Sequence, residues 1–215
     1  MNLSINRDIF LPAVQSVIGA IERRQTLPIL SNLLIQISGD EATITATDLE
    51  IELKTTINLG INYGNFEFTL PARKTADICK NFEEGSIIDF KLSNENLTLS
   101  SSRSRFNLSI LPSIDYPKID ISTLKNSIEI EQRHLKKIIN NVSFAMAQQD
   151  VRYYLNGVLF EINKNSICTV STDGHRLALS EVKTNFEVQE TQQFIIPRKT
   201  CLLYTSDAAD EEDSV

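Results

Sequence analysis

The chain carries one pattern twice. Leu3-Ser4-Ile5-Asn6 is answered by Ile128-Glu129-Ile130-Glu131. Phe10, Val14 and Val17 are answered by Leu135, Ile139 and Val142, and Asn32-Leu33-Leu34-Ile35 by Asn156-Gly157-Val158-Leu159. Ile44-Thr45-Ala46-Thr47-Asp48 returns as Thr169-Val170-Ser171-Thr172-Asp173, and Pro71-Ala72-Arg73-Lys74 as Pro197-Arg198-Lys199. Order and spacing agree at an offset of about 125 residues, which coincidence does not produce over so many segments. Two domains of one common fold follow, and 215 residues suffice for two of about 100 each. The second copy stops soon after its Pro-Arg-Lys.

Periodicity gives the elements of each copy. Asn2–Asn6 alternates as a strand. Phe10, Val14, Val17, Ile18 and Ile21 recur at helical spacing, with Asp8 as the expected N-cap. Leu33–Ile37, Ala42–Thr47, Ile51–Ile57 and Phe66–Leu70 read as strands, Thr75–Asn81 as a short helix, and Ile87–Leu92, Leu97–Ser101 and Arg105–Leu111 as closing strands. The fold class is α+β with mostly antiparallel strands. Ser113–Lys125, flanked by Pro112 and holding Pro117, reads as a linker. The boundaries expected are 1–120 for a complete first domain and 121–200 for a truncated second.

The helices carry the charge signal. In Arg133–Ala145 the residues Leu135, Ile138, Ile139 and Val142 form an apolar stripe, with Lys136, Lys137, Asn140 and Asn141 off it. Arg23 and Arg24 follow the first helix; Arg73, Lys74 and Lys80 flank the second. Each base alone is an ordinary solvated side chain, but bases repeated on equivalent helices suit phosphates without reading bases. The net charge of −7 argues the other way only on average, because five acids fall in residues 207–213 and their removal leaves 23 acids against 21 bases.

The remaining composition excludes several classes. Apolar residues at 41% support a core, and no apolar run approaches the roughly 18 residues a membrane span needs. The N-terminus alternates and is no signal peptide, so a cytoplasmic protein is expected. Cys79, Cys168 and Cys201 are widely spaced and odd in number, fitting buried free thiols rather than a metal motif or disulfides. No cofactor or metal is expected. There is no Walker A loop, G-x-G-x-x-G, H-E-x-x-H or G-x-S-x-G. His134 falls on the polar side of its helix. An enzyme reading builds a phosphate site from Asp173, His175 and Arg176. No nucleophile accompanies them, and the first copy has Thr47-Asp48-Leu49-Glu50 instead.

Longer motifs resemble a known family. Thr26-Leu27-Pro28-Ile29-Leu30-Ser31-Asn32, Thr47-Asp48-Leu49-Glu50, Pro71-Ala72-Arg73-Lys74 and Ser102-Arg103-Ser104-Arg105-Phe106 resemble domain one of the bacterial DNA polymerase III beta subunit, the sliding clamp. Ala147-Gln148-Gln149-Asp150-Val151-Arg152-Tyr153-Tyr154-Leu155-Asn156-Gly157 and Thr172-Asp173-Gly174-His175-Arg176-Leu177 resemble domain two. The resemblance runs from Met1 to about Thr200. It implies a clamp fold of three similar domains per chain, two chains closing as a homodimer ring, with helices lining a hole for double-stranded DNA. It implies DNA contacts at Arg24, Arg73, Gln149, Tyr153 and Tyr154. A partner-peptide groove is implied beside Leu155, Thr172, Gly174, His175, Arg176 and Leu177, and a ring contact at Lys74, Arg103, Arg105, Phe106 and Leu108. The partners implied are the replicative polymerase alpha subunit, the clamp loader and repair polymerases. The role is a processivity factor without catalysis of its own, and no membrane is involved.

After Thr200 the resemblance ends. Cys201-Leu202-Leu203-Tyr204-Thr205-Ser206-Asp207-Ala208-Ala209-Asp210-Glu211 matches the translation of a transposase adapter used in sequencing libraries, so 201–215 is expected to be non-native read-through. Such a chain is expected to be unable to close a ring. A genuine acidic tail, and a decoy that captures clamp partners without DNA, are the competing readings, and the genomic DNA downstream of codon 200 separates them.

Overall fold

Strand β1 (Asn2–Asn6) turns Leu3 and Ile5 inward and Asn2 and Ser4 outward, as the pleat requires. Helix α1 (Arg7–Ile18) follows at once. Its cap is Asn6, not the expected Asp8. Asn6 keeps the extended backbone a cap needs, and its Oδ1 accepts from the Asp8 N–H at 2.7 Å. Asp8 lies in the first turn, where the helix dipole favours a carboxylate, and it accepts from the Gly85 N–H at 2.8 Å. This computed structural model describes residues 2–21, 27–93, 96–119, 128–184, 188 and 190–210.

The elements that follow are β2 (Asn32–Ser38), β3 (Glu41–Thr47), β4 (Glu52–Asn58), β5 (Asn65–Pro71), α2 (Ala72–Lys80), β6 (Ile87–Leu92), β7 (Asn96–Ser101) and β8 (Ser104–Ser109). They build a first unit, Met1–Asp120, from two four-stranded antiparallel sheets ordered β4-β3-β2-β5 and β1-β6-β7-β8. The unit is therefore a strand–helix–three-strand motif used twice, with the leading strand of each half placed in the other half's sheet. β1 pairs with β6, Leu3 opposite Phe90, and β5 pairs with β2, Phe68 opposite Ile35. Both sheets and both helices share one core that includes Leu3, Phe10, Val14, Leu33, Ile35, Phe68, Leu70, Ile88, Phe90 and Leu99.

The expected linker begins too early. Tyr116 is buried, and its hydroxyl donates to the Thr45 carbonyl at 3.2 Å. With Ile29, Leu30 and Leu34 it forms a small core on the outer side of the β2 sheet, while Lys118 pairs with Glu67 at 3.0 Å. The stretch from Ser113 to Lys118 thus belongs to the first unit; the rest of the expected linker, from 120, lies outside the described residues.

The second unit, Ile121–Val215, holds α3 (Gln132–Ser143), β9 (Gly157–Ile162), β10 (Ser166–Thr172), β11 (Leu177–Lys183), β12 (Gln192–Pro197) and α4 (Arg198–Asp210). Its sheet order, β11-β10-β9-β12, repeats β4-β3-β2-β5. The match of Ile128–Glu131 to β1 does not extend to structure: these residues form no strand. In the first unit β1 has β6 to pair with, and the described residues of the second unit hold no counterpart of β6–β8. A strand without a neighbour leaves its backbone groups unpaired, so the ladder does not form. Ile130 still packs on the second core with Ile139, Val142, Phe160 and Ile162.

Two further differences separate the units. Where β3 sets apolar Ile44 and Ala46 under α1, β10 sets Thr169 and Ser171 under α3. Thr169 donates to the Ile138 carbonyl at 3.1 Å and Ser171 to the Val142 carbonyl, so two strand hydroxyls bound to carbonyls one helical turn apart fix the register of α3 on its sheet. At the other end, Cys201 is buried and Tyr204 packs beside it, so the expected read-through segment starts inside α4 and contributes to this core. Cys79 and Cys201 are buried free thiols, pushed up to about 12 and about 11 by burial. Cys168 departs from the expectation, being only half-buried on the outer face of β10.

Candidate nucleic-acid and partner interface

The loop Thr172–Leu177 is shaped by its own side chains. Thr172 Oγ1 donates to the Arg176 carbonyl at 2.7 Å and accepts from the Gly174 N–H at 3.1 Å. Asp173 Oδ1 accepts from the His175 and Arg176 N–H groups at 2.9 and 3.0 Å, and Oδ2 from Arg176 Nε at 2.9 Å. The first unit builds the same loop. Thr47 Oγ1 donates to the Ile51 carbonyl at 2.8 Å, and Asp48 Oδ1 accepts from Glu50 and Ile51 at 3.0 and 2.8 Å. Thr and Asp are thus turn-formers in both copies. The third position has positive φ in both, +80° at Leu49 and +88° at Gly174. Glycine adopts that backbone without strain, and a Cβ there would come within 3.4 Å of the Arg152 guanidinium. What distinguishes the second loop is what it presents: His175, Arg176 and Leu177, all exposed.

A second segment, Ala145–Asn156, packs beside it. Asp150 holds Arg152 through both carboxylate oxygens, at 3.0 and 2.9 Å, and also accepts the Arg152 N–H at 2.8 Å. Asn156 closes the segment, accepting the Asp150 N–H at 3.0 Å and donating to the Asp150 carbonyl at 2.9 Å. The result is a short 3-10 turn, Tyr153–Leu155, that sets Tyr153 in the open at 83% exposure and Tyr154 at 51%, edge to face at 6.0 Å. Gln149 is exposed and takes positive φ, +56°. Between the segments lies a cleft of about 330 Å³ lined by Phe144, Met146, Ala147, Gln148, Asp150, Asp173, His175, Arg176 and Arg198. The Arg176 guanidinium lies 5.7 Å over the Phe144 ring.

The two carboxylates explain the electrostatics. Backbone N–H groups of His175 and Arg176 hold Asp173 down to about 2, and the Arg152 side chain holds Asp150 down to about 2. Asp173 is therefore an ionised loop clasp with its oxygens occupied, a poor general base at neutral pH. An unfolded aspartate takes up its proton near pH 4. The clasp is complete above that value and is lost as the pH falls through about 2. Carboxyl NMR is expected to place the Asp173 and Asp150 midpoints well below the usual aspartate value. A midpoint near 4 for Asp173 would show that the loop is not held this way.

The family model described as DNA polymerase III beta subunit, N-terminal domain, matches residues 1–120, more than half of the chain. The chain belongs to the DNA polymerase III beta subunit family. A second model of that family, for the central domain, matches residues 129–215. The beta sliding clamp of Pseudomonas putida is 45% identical over 202 residues, covering 94% of this chain and 55% of the relative. That of Escherichia coli strain K12 is 40% identical over 199 residues, covering 93% and 54%. The crystal structure of the DNA polymerase III subunit beta from Pseudomonas aeruginosa superimposes with a TM-score of 0.88 at 41% identity, covering 96% of this chain and 56% of that one. A beta subunit structure from Bartonella birtlesii bound to griselimycin gives 0.89 at 29% identity, covering 98% and 57%. The chain spans about half the length of the curated relatives it matches. The clamp fold expected from the sequence is thus the fold observed.

The residues that the beta subunit resemblance points to fall into distinct places. Arg24 lies outside the described residues. Arg73 is exposed at the start of α2, but one guanidinium nitrogen donates to the Ile21 carbonyl at 2.9 Å, just beyond α1. Arg198 repeats this, reaching the Ser143 carbonyl at 3.5 Å at the end of α3. Of the six groove residues, only His175 and Arg176 line the cleft. Leu155 is half-buried, and Leu177, 64% exposed, starts edge strand β11. Near edge strand β8, Arg103, Arg105 and Phe106 are exposed, Phe106 packing edge-on against Phe82 at 6.0 Å. Leu108 is instead 7% exposed, because alternation turns it to the core opposite Leu97. Lys74 is exposed on α2. The sequence reading missed Arg152 and Phe144. The Asp150-x-Arg152 spacing was the available signal for the first; nothing in the sequence marked the second. Among the described residues, no group of three or more His, Cys, Asp or Glu side chains converges.

Proposed function

We propose that the chain forms the N-terminal and central parts of a sliding clamp, which closes as a ring around duplex DNA and tethers a replicative polymerase. The family match over both units carries this reading, and the paired surface segments of the second unit support it. Exposed Gln149, Tyr153 and Tyr154 offer a donor and ring faces to nucleic acid, while the neighbouring loop offers Leu177, His175 and Arg176 to a peptide of apolar and Gln residues. Weak backbone contacts permit sliding, since no base is read and no position is preferred. Tethering then raises the concentration of a polymerase at the primer end, with no catalysis by the clamp itself. The polymerase alpha subunit, the clamp loader and repair polymerases are the partners of this reading, and the cytoplasm is its place. No helix among the described residues is long and apolar enough to cross a membrane. Edge strand β8 with Arg103, Arg105 and Phe106, together with Lys74 of α2, is the proposed ring contact, made by strand addition to a second chain.

The test is peptide binding followed by fluorescence. A labelled peptide carrying the apolar and Gln residues is expected to bind the chain, and Leu177→Asp to weaken it by at least about tenfold, equivalent to 1.4 kcal/mol. Ile61→Asp, at an exposed site in the first unit, is expected to change nothing. Equal affinity for Leu177→Asp and the parent would remove the groove. A hydrolytic turnover abolished by His175→Ala would favour an enzyme instead.

A further inference from the structure

Helices α1 and α3 hold equivalent places in the repeat, and their core-facing apolar stripes coincide: Phe10, Val14 and Val17 on one, Leu135, Ile139 and Val142 on the other. That register also aligns their outward faces. Asp8 corresponds to Arg133, Pro12 to Lys137, Gln15 to Asn140 and Ser16 to Asn141, and all eight are exposed. The last two pairs are neutral on both helices. The first two change charge, from acid to base and from neutral to base. Arg7, the base of α1, does not restore the balance. It is half-buried, with Nη1 on Asp8 at 2.9 Å and Nε on the Cys79 carbonyl at 3.3 Å. On α3, Arg133 is partly offset by Glu131, to which its Nε donates, while Lys137 stands one turn further along on the open face.

We infer that the two equivalent helices treat duplex DNA unequally: α3 grips phosphate through Lys137, aided by Arg133, whereas α1 presents no exposed base and passes DNA without holding it. This rests on the clamp reading above. The ligand chemistry is the phosphodiester backbone of duplex DNA, recognised by charge alone. A helix face without bases lowers the number of phosphates held at once, which weakens the hold that sliding must break.

Binding of the full chain to a short fluorescein-labelled duplex, measured over a series of salt concentrations, tests this. Each phosphate contact contributes about 0.9 to the slope of log affinity against log salt. Lys137→Gln is expected to lower the slope by about 0.9, and Pro12→Lys to raise it by about the same amount, as one contact is lost or gained. Gln15→Ala is expected to leave it unchanged. Circular dichroism of each variant checks that the helical content of the chain is kept. Salt-dependent binding whose slope is the same in Lys137→Gln and the parent overturns the inference and leaves the clamp reading standing. Absence of salt-dependent binding by the parent chain likewise overturns the inference, while the clamp reading, which rests on the family match, is tested separately by the peptide binding above.

Discussion

Phe90→Ala is expected to destabilise the first unit by about 3–5 kcal/mol, the cost of emptying a large aromatic site in a packed core. Phe90 is 1% exposed on β6 and meets Phe10 of α1 edge to face at 5.0 Å and Phe68 of β5 at 6.5 Å. It therefore touches both halves of the first unit at once, on the strand that receives β1. The cavity cannot be refilled by one side alone, since each neighbour is anchored in a different element. For a domain of this size the thermal midpoint falls roughly 4–8 °C per kcal/mol. Denaturant unfolding should show a lower midpoint at unchanged slope. Phe90→Leu, which keeps most of the volume, should cost less than about 1.5 kcal/mol. A loss below about 1 kcal/mol for Phe90→Ala would mean that the two halves do not meet there as described.

Gly157→Ala is expected to detach β12 from β9. Gly157 lies opposite Pro197 in the ladder, and a Cβ there would stand 2.5 Å from the Ile196 carbonyl oxygen and 2.8 Å from Ile195 Cγ2. The nearer obstacle is backbone, so no rotamer change relieves it. Overpacking of this kind costs about 1–3 kcal/mol, with the upper end expected where main chain must move. Hydrogen exchange should quicken at Phe194, Ile195 and Ile196, while β10 and β11 keep their protection. In the first unit the matching residue is Asn32, opposite Pro71, and its side chain has room to donate to Thr69 Oγ1 at 3.1 Å. Unchanged exchange at β12 in Gly157→Ala would show that the strand already yields.

That pair also shows where the sequence misleads. Comparing letters aligned Asn32 with Asn156, but the strand register aligns Asn32 with Gly157 and Leu34 with Leu159. Two like residues drew the comparison one position off, and in a strand one position reverses the faces. The elements themselves were legible, because alternation and helical spacing record burial directly. β2 to β8 fall within a few residues of expectation. The failures arise where a residue's fate depends on a distant partner. Ile128–Glu131 alternates like β1 but lacks a neighbouring strand. Tyr116 looks like linker until Thr45, far back in the chain, accepts its hydroxyl bond. At the candidate site the motif residues were visible, yet their division of labour was not. Thr172 and Asp173 spend their polar atoms inside the loop, as Thr47 and Asp48 do, which only the hydrogen bonds reveal.

The exchange of leading strands sets a schedule for biosynthesis. Residues 2–6 leave the ribosome well before residues 87–91, the backbone they pair with. At about 5–20 residues per second the N-terminal segment waits several seconds with Leu3 and Ile5 uncovered. During that interval the nascent polypeptide displays an unsatisfied edge that another chain, or a chaperone, can occupy. Closure of the first domain is thus a late event governed by long sequence separation, and translation pauses placed before residue 87 prolong its most vulnerable state.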